Sequence, residues 1–191
     1  PWSGKEIDGK IFGRGSCDMK AGLSSGLFAI AILKSLRFKP EGDIIFQSVV
    51  GEESGGCGTL ANIVKGYRAD AAIILEPTSL KLSPIQSGAL TFRLIVHGKA
   101  THASMRWDGV SAIEKYADLH HAIIDFEKQR HHSFNTEHYK SRERVAPINI
   151  GTIQAGQWHS TVPESVIAEG RLGVFPDESN EDAKKSFEEY I

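Results

Sequence analysis

The chain has 191 residues, of which 40% are hydrophobic and 24% charged, and its formal net charge is -2. This composition is ordinary for globular domains and suffices for one or two of them. The near-neutral net charge does not favour binding to nucleic acid or to an acidic membrane surface. No run approaches ~18 apolar residues, so we expect no membrane span. Two cysteines, Cys17 and Cys57, predict reduced thiols in a cytoplasmic protein rather than a disulfide framework.

The first half of the chain predicts helices that alternate with buried strands. A short strand at 10–12 precedes a helix at 20–36, and strands at 43–50 and 70–75 enclose a helix at 59–65. The two longer strands, DIIFQSVV and DAAIIL, are apolar runs of the kind found in buried parallel strands. The helix at 20–36 is apolar on more than one stripe, so we expect it to be well buried. Strand, helix and strand with short connections indicate a parallel sheet covered by helices.

The pattern changes near residue 88. We predict a strand, a helix, a polar and His-rich excursion, two strands and a final helix, at 89–96, 110–126, 129–144, 147–154, 162–174 and 178–191. We expect the excursion to be mobile and solvated. Strand, helix, two strands and helix are typical of a small α+β sandwich like the ferredoxin fold. The fold class is therefore α/β, with part of a parallel or mixed sheet at 1–87 and an α+β domain at 88–191.

Four acidic residues stand at predicted strand ends or in loops beside glycine or proline: Asp18, Glu52, Glu53 and Glu76. Ligands of parallel sheets lie at the carboxyl ends of strands, where the three glutamates fall. Carboxylates suit zinc, manganese or cobalt, and one that bridges two metals holds them about 3.5–4 Å apart. A neighbouring carboxylate free of metal could take a proton from water. Loop acids are also commonly solvated, and Asp18 could instead cap the following helix, so spacing alone leaves both interpretations open.

Three segments resemble, in order and spacing, the signatures of one enzyme family. Residues 13–22 (GRGSCDMKAG) closely resemble the G-R-G-x-x-D-M-K-G-G signature of the M20 metallopeptidases. Residues 52–56 (EESGG) resemble their E-E-x-G-G loop, and residues 76–78 (EPT) resemble their E-P-T. This group includes acetylornithine deacetylase, succinyl-diaminopimelate desuccinylase, aminoacylase and carboxypeptidase G. Ala21 replaces a glycine of many relatives, which leaves the ligand positions untouched.

The resemblance implies a role for each acid in a zinc-exopeptidase-like catalytic domain at 1–87. Asp18 would bridge two zinc ions, with cobalt or manganese as alternatives. Glu53 would bind one metal and Glu76 the other. Glu52 would be the general base that deprotonates the bridging water and later protonates the leaving amine. The peptide bond after Asp18 is often cis in relatives.

The second half resembles the lid and dimerisation domain of the same family. Residues 98–104 (GKATHAS) resemble its G-x-x-x-H-[AS]-[AS] segment. The resemblance implies that His102 reaches into a partner subunit's active site and stabilises the oxyanion there, which requires a homodimer. Residues 151–163 resemble another lid segment, with Ser160 where many relatives have asparagine. Arg171 resembles a lid arginine that meets a substrate carboxylate in some relatives, and an exposed strand residue is an equal alternative. The other histidines and the cysteines are interpreted as structural or surface residues.

The implied activity is metal-dependent hydrolysis of an amide bond in an N-acyl amino acid or a small peptide, closest to the acetylornithine deacetylase branch. Dipeptidase and aminoacylase activities remain open. One alternative is a non-catalytic dimerisation or binding module at 88–191, which has no need for four loop acids. Another is a phosphate-binding protein, which the missing Gly-x-x-x-x-Gly-Lys-[Ser/Thr] loop disfavours.

Two ligand motifs of the relatives have no match in the chain. One is an H-x-D motif that precedes the first signature, and the other is a histidine that follows the lid. Pro1 is not a natural start, and no signal peptide is visible. We therefore expect an internal fragment that, on its own, binds zinc weakly and does not turn over substrate. The alternative is that the chain is the ordered or retained part of a longer enzyme.

Overall fold

The computed structural model describes residues 1–134, 139 and 145–191. These residues form two compact units, Pro1–Leu82 and Ser83–Ile191. The described residues form a mixed α/β protein with two small antiparallel sheets. The boundary predicted near residue 87, and the assignment of the two parts to catalytic and lid domains, stay predictions.

The first unit contains one β-hairpin and two helices. Strands β1 (Lys5–Ile7) and β2 (Lys10–Phe12) pair antiparallel. The connecting Asp8 and Gly9 both have positive φ, 51° and 70°, as the commonest two-residue hairpin turns require. Helices α1 (Ala21–Ser35) and α2 (Cys57–Val64) follow. The strand at 10–12 and both helices are confirmed. β1 was not predicted, although its Asp-Gly turn is a hairpin signal.

Helix α1 packs closely against two segments that the sequence predicted to be strands. A Cβ at Gly22 would lie 1.9 Å from the carbonyl oxygen of Leu75. A Cβ at Gly26 would lie 2.6 Å from Leu75 Cδ1 and 3.2 Å from Phe46 Cε2. The absence of side chains at these two glycines therefore allows the helix to approach both segments.

The structure contradicts the two buried strands predicted at 43–50 and 70–75. Neither segment pairs with another strand among the described residues, and both sheets are antiparallel rather than parallel. A strand exists only where a second backbone lies beside it at about 4.7–4.9 Å, and an apolar run cannot reveal whether that neighbour is present. Ile73 and Ile74 are 87% and 72% exposed.

The expected burial of α1 is also wrong. Its 15 residues include no buried side chain, and Phe28 is 68% exposed. The described core residues all belong to the second unit, so the apolar stripes of α1 have no complete layer to cover them. The segment Ser16–Ser35 is long and apolar enough to cross a membrane, a test that core helices of soluble proteins also pass. The absence of a membrane span stays a prediction.

In the part that the structure describes, the second unit is a three-stranded sheet with two helices. Strands β3 (Gly88–His97), β4 (Ile148–Ala155) and β5 (Ser165–Val174) form an antiparallel sheet in the order β3-β5-β4. Helices α3 (Ala112–Ser133) and α4 (Asn180–Tyr190) complete it. The predicted sequence of strand, helix, two strands and helix is confirmed. Its assignment to a ferredoxin-like fold stays a prediction.

Helix α3 runs beyond its predicted end at residue 126. Its last turn reaches Ser133, so the start of the excursion expected at 129–144 is helical. Gln129 Nε2 donates to Tyr190 Oη at 2.8 Å, and Arg130 donates to Gly173 O at 2.9 Å. These polar side chains have tertiary partners, which apolar periodicity cannot detect. Residues 135–138 and 140–144 of the excursion lie outside the described residues.

The core of the second unit lies between the sheet and its two helices. Leu172 and Val166 of β5 are its largest fully buried side chains. The main cluster joins residues of α3, β5 and α4: Ile123, Phe126, Leu172, Val174, Ala183 and Phe187. β5 is therefore both the central strand of the sheet and the strand that contributes these fully buried side chains to the core.

Candidate functional site

Asp18 lies in an irregular turn, Ser16–Lys20, between β2 and α1. The Asp18–Met19 peptide bond is cis, as the sequence resemblance led us to expect. The turn begins at Gly15 with φ 79°, and Lys20 N donates to Gly15 O at 2.9 Å. No side-chain cap is formed at the start of α1, so the alternative role of Asp18 as a helix cap is not adopted. The Asp18 side chain is exposed.

Glu52 and Glu53 occupy a glycine-bounded turn that leads into α2. Gly51 and Gly56 have φ 71° and 70°, values that most residues avoid. Gly56 N donates to Gly51 O at 2.9 Å, and a Cβ at Gly51 would lie 2.4 Å from Cys57 Sγ. The glycines thus close the loop tightly, while both glutamate side chains remain exposed.

Asp18 and Glu53 line the same cleft. The cleft has a volume of ≈ 520 Å³ and is otherwise formed by Pro1, Ser3, Phe12 and the turn at 13–17. The structure therefore brings together two acids that are distant in sequence, both of them predicted metal ligands. Their roles as ligands stay predictions.

Glu76 lies in the electrostatic field of the other three acids. Burial raises the pKa of the Glu76 carboxyl, and the negative charges of Asp18, Glu52 and Glu53 raise it further. A hydrogen bond with the Asp18 side chain acts in the same direction. Among the described residues, no lysine, arginine or histidine forms a salt bridge with any of the four. Within the described residues, the cluster thus concentrates negative charge without an ion pair to a basic side chain.

The chemistry of this cluster fits a divalent cation, whereas its geometry is not that of a complete metal cage. Carboxylate oxygens are hard ligands, and a cation would relieve their mutual repulsion. In the part of the chain that the structure describes, however, no three His, Cys, Asp or Glu side chains are arranged to hold a metal ion. Asp18, Glu52 and Glu53 are therefore close enough to Glu76 to raise its pKa, while the four acids do not form a finished coordination sphere.

His102 belongs to the second unit. It precedes the short helical turn Ala103–Asp108, and its Nδ1 accepts a hydrogen bond from the backbone N–H of Ser104 at 3.3 Å. Ala103 N donates to Ser160 O at 2.9 Å, which ties this loop to the turn that contains Trp158. The ring centroids of His102 and Trp158 are 6.1 Å apart. His102 is exposed, as a residue that meets a ligand must be.

Arg171 lies on β5, opposite Thr91 of β3 and Asn149 of β4. Its side chain is exposed, and its neighbour Leu172 is buried, so Arg171 lies on the sheet face away from the core. That position suits a ligand contact and an ordinary surface residue equally well, so its role stays a prediction.

The residues given a structural role have varied environments. Cys17 and Cys57 are free and exposed. His131 is buried, with Nε2 2.7 Å from Val145 O. His138 lies outside the described residues. Ser104 was not predicted as a site residue, although it occupies the last position of the lid signature that contains His102.

Comparison with known proteins decides the family. The sequence profile of peptidase family M20/M25/M40 matches residues 1–170. The chain belongs to this family. The resemblance drawn from the three signatures is thereby confirmed.

Several curated proteins of this family are similar to the chain. It is 28% identical to N-formyl-4-amino-5-aminomethyl-2-methylpyrimidine deformylase of Bacillus subtilis (strain 168) and 31% identical to the protein of the same name from Halalkalibacterium halodurans. Each match covers 100% of this chain and 46% of the relative. A probable succinyl-diaminopimelate desuccinylase of Staphylococcus aureus is 29% identical, over 78% of this chain and 36% of the relative. The chain thus spans about half the length of the deformylases.

A solved M20 structure supports the fold. The aminopeptidase PepT from Bacillus cereus matches with a TM-score of 0.57 and 25% sequence identity, over 97% of this chain and 48% of that one. A tripeptidase from Staphylococcus aureus matches with a TM-score of 0.54 at 23% identity, over 95% of this chain and 48% of that one. The second likeness concerns the fold alone.

Proposed function

We propose that the chain carries the carboxylate-rich part of the active site of a metal-dependent amidohydrolase that cleaves an amide bond in a small N-acyl compound. The observation that carries this proposal is the shared cleft of Asp18 and Glu53. The influence of Asp18, Glu52 and Glu53 on Glu76 supports it. Family membership supports this reaction class, as do the deformylase and the desuccinylase among the relatives.

In this proposal Asp18, Glu53 and Glu76 hold two divalent cations, with zinc as the first candidate and cobalt or manganese as alternatives. Such ions, when bound, would supply Lewis-acid polarisation of the amide carbonyl and a lowered pKa of bound water. Glu52 takes the proton of the attacking water and passes it to the leaving amine. Glu52 suits this role because it is exposed and adjacent to Glu53 in one turn, so successive side chains can serve different purposes.

The second unit would act as the lid and dimerisation domain. His102 would stabilise the negative charge that develops on the carbonyl oxygen, and Arg171 would bind a substrate carboxylate. A donor aimed at a developing oxyanion is worth about 2.7–4 kcal/mol. A homodimer is part of the proposal, because the resemblance places this histidine in the partner's active site.

The acyl group has two candidates. The sequence signatures favour an acetylornithine deacetylase-like reaction on an N-acyl amino acid, with dipeptides and other acyl amino acids as variants. Two relatives that match the whole chain are named as deformylases of an N-formyl aminomethylpyrimidine, which favours a formyl amide of a small amine. Both candidates share the same bond and the same chemistry.

The test uses the complete reading frame that contains this chain, assayed with zinc or cobalt on N-formyl, N-acetyl and N-succinyl amines, amino acids and dipeptides. Glu52→Gln should lower kcat by at least about 100-fold, because general base catalysis contributes 10²–10⁴-fold. Glu41→Gln, which changes an exposed acid of the same unit, should leave kcat unchanged. Full activity in Glu52→Gln would place the base elsewhere.

The rival function, a non-catalytic dimerisation or binding module, predicts a different result from the same protein. It requires no metal and no hydrolysis of any amide. Metal-dependent turnover would therefore reject the module. A protein that neither binds zinc nor hydrolyses these amides would reject the amidohydrolase.

A further inference from the structure

We propose that Ser104 is a positioning residue that holds the His102 imidazole in the tautomer with its proton on Nε2, so that Nε2–H is the hydrogen-bond donor of this loop. The inference rests on the proposed function, in which His102 donates to a developing oxyanion. It adds a residue and a protonation pattern on which that role depends.

The contacts of Nδ1 determine the tautomer. Nδ1 of His102 accepts from the backbone N–H of Ser104 at 3.3 Å and lies 2.8 Å from Ser104 Oγ. A backbone amide nitrogen can only donate, so this long 3.3 Å contact favours a lone pair on Nδ1 without fixing it alone, and the shorter 2.8 Å contact with the Ser104 hydroxyl completes the preference. Neutral imidazole carries a single N–H, which then resides on Nε2. The serine hydroxyl can rotate to donate to Nδ1 as well.

The loop that carries His102 is itself held by backbone hydrogen bonds. Met105 N donates to His102 O at 2.8 Å, and Val162 N donates to Thr101 O at 2.9 Å. An antiparallel bridge joins His102 to Thr161. No residue that the structure describes forms a hydrogen bond with Nε2 of His102. Nε2–H is therefore available to a ligand on a loop whose backbone is already fixed, which is the preorganisation that an oxyanion donor needs.

His159, in the neighbouring turn, provides an internal contrast. Its Nδ1 lies 2.9 Å from Ser160 Oγ, a contact of the same type. No backbone N–H faces that nitrogen in the described part of the chain, so the hydroxyl can either donate or accept. Serine alone thus leaves the tautomer of His159 open, whereas at His102 the amide and the hydroxyl of Ser104 act together.

The test reads the tautomer directly. Long-range ¹H–¹⁵N spectra of the ¹⁵N-histidine-labelled chain at about pH 8, where most imidazoles are neutral, should show a protonated Nε2 and a bare Nδ1 for His102, assigned with His102→Gln. Ser104→Ala should increase the Nδ1–H population, and Ser104→Thr should restore the original spectrum. Ser186→Ala, which removes a hydroxyl that donates to Ala183 O in α4, is the matched control and should change nothing at His102.

Kinetics of the complete reading frame supply the functional readout. Ser104→Ala should lower kcat about three- to tenfold, the factor that corresponds to one hydrogen bond, with KM unchanged and with rescue by threonine. A protonated Nδ1 in the unmodified chain, or an Ser104→Ala spectrum identical to it, would overturn the inference. A tautomer shift without amide hydrolysis by any variant would contradict the proposed function and still support the positioning role of Ser104.

Discussion

The guanidinium of Arg130 is a buried cation with partners on two other parts of the second unit. It donates to Gly173 O at 2.9 Å and to the Glu178 carboxylate. Only 8% of the Arg130 side chain and 20% of the Glu178 side chain are exposed. Burial lowers the pKa of Arg130, and the Glu178 carboxylate raises it. The attraction between Arg130 and Glu178 therefore offsets the free-energy cost of removing their charges from water. Removal of one partner leaves the other charge buried without that compensation.

We predict that Glu178→Ala lowers the free energy of unfolding by about 3–5 kcal/mol, because Arg130 would be left as a buried charge with one neutral acceptor. Glu169→Ala is the control. Glu169 forms an ion pair with Arg93, and the side chains of Arg93 and Glu169 are 64% and 50% exposed. Such an exposed pair contributes less than about 1 kcal/mol to stability. Urea denaturation of both variants measures the difference. Equal losses would show that burial of the Arg130 pair has no energetic consequence.

Strand β5 contains glycines because neighbouring backbone passes close to it. A Cβ at Gly173 would lie 2.2 Å from Ala146 C and 2.3 Å from Ala146 Cα. Gly173 N also donates to Pro147 O at 2.9 Å. This approach brings the segment before β4 onto β5, beside the carbonyl that Arg130 uses.

Gly173→Ala should destabilise the chain by about 1–3 kcal/mol, since the added methyl meets backbone rather than a flexible side chain. Gly151→Ala in β4 is the matched control. Its Cβ would meet nothing closer than 3.8 Å, and alanine is preferred to glycine in a strand by about 0.5–1 kcal/mol. Thermal or urea unfolding should therefore show a lower stability for Gly173→Ala and a higher stability for Gly151→Ala than for the unmodified chain. A neutral Gly173→Ala would mean that the backbone at 146 is free to move.

The two units differ in their cores. The buried hydrophobic side chains of the described chain lie between Ala112 and Phe187, all in Ser83–Ile191. In Pro1–Leu82 the large apolar side chains of α1 and of the segments beside it remain exposed. Cooperative unfolding requires apolar surface that is buried in the native state and exposed on unfolding.

We predict that residues 83–191, expressed alone, unfold in one cooperative urea transition, whereas residues 1–82 alone show none. Circular dichroism and tryptophan fluorescence across the urea series measure this, because coincident curves identify a two-state unit. A cooperative transition in residues 1–82 would show that the segments packed on α1 suffice as a core.

The candidate general base and metal ligands were accessible from sequence because their signal is local. Each of the four acids lies in a short sequence signature that can be recognised without knowledge of the fold: Asp18, Glu52, Glu53 and Glu76. The helices, and the strands of the second unit, were also predictable from local sequence. The hydrophobic periodicity that marks them and the glycines that end them depend only on neighbouring residues. Family membership followed from these local signals.

Other features depended on residues far apart in the chain. The apolar runs at 43–50 and 70–75 carried no information on whether a partner strand lies beside them, so the parallel sheet was wrongly predicted. Arg130 read as part of a polar excursion because Glu178 and Gly173, its partners, lie more than forty positions away. The shared cleft of Asp18 and Glu53 required the end of the hairpin, the turn at 13–18 and the glycine-bounded turn to be placed in space. Sequence therefore identified the chemical groups, and tertiary structure determined which of them meet, because pairing, burial and charge proximity are relations between distant segments.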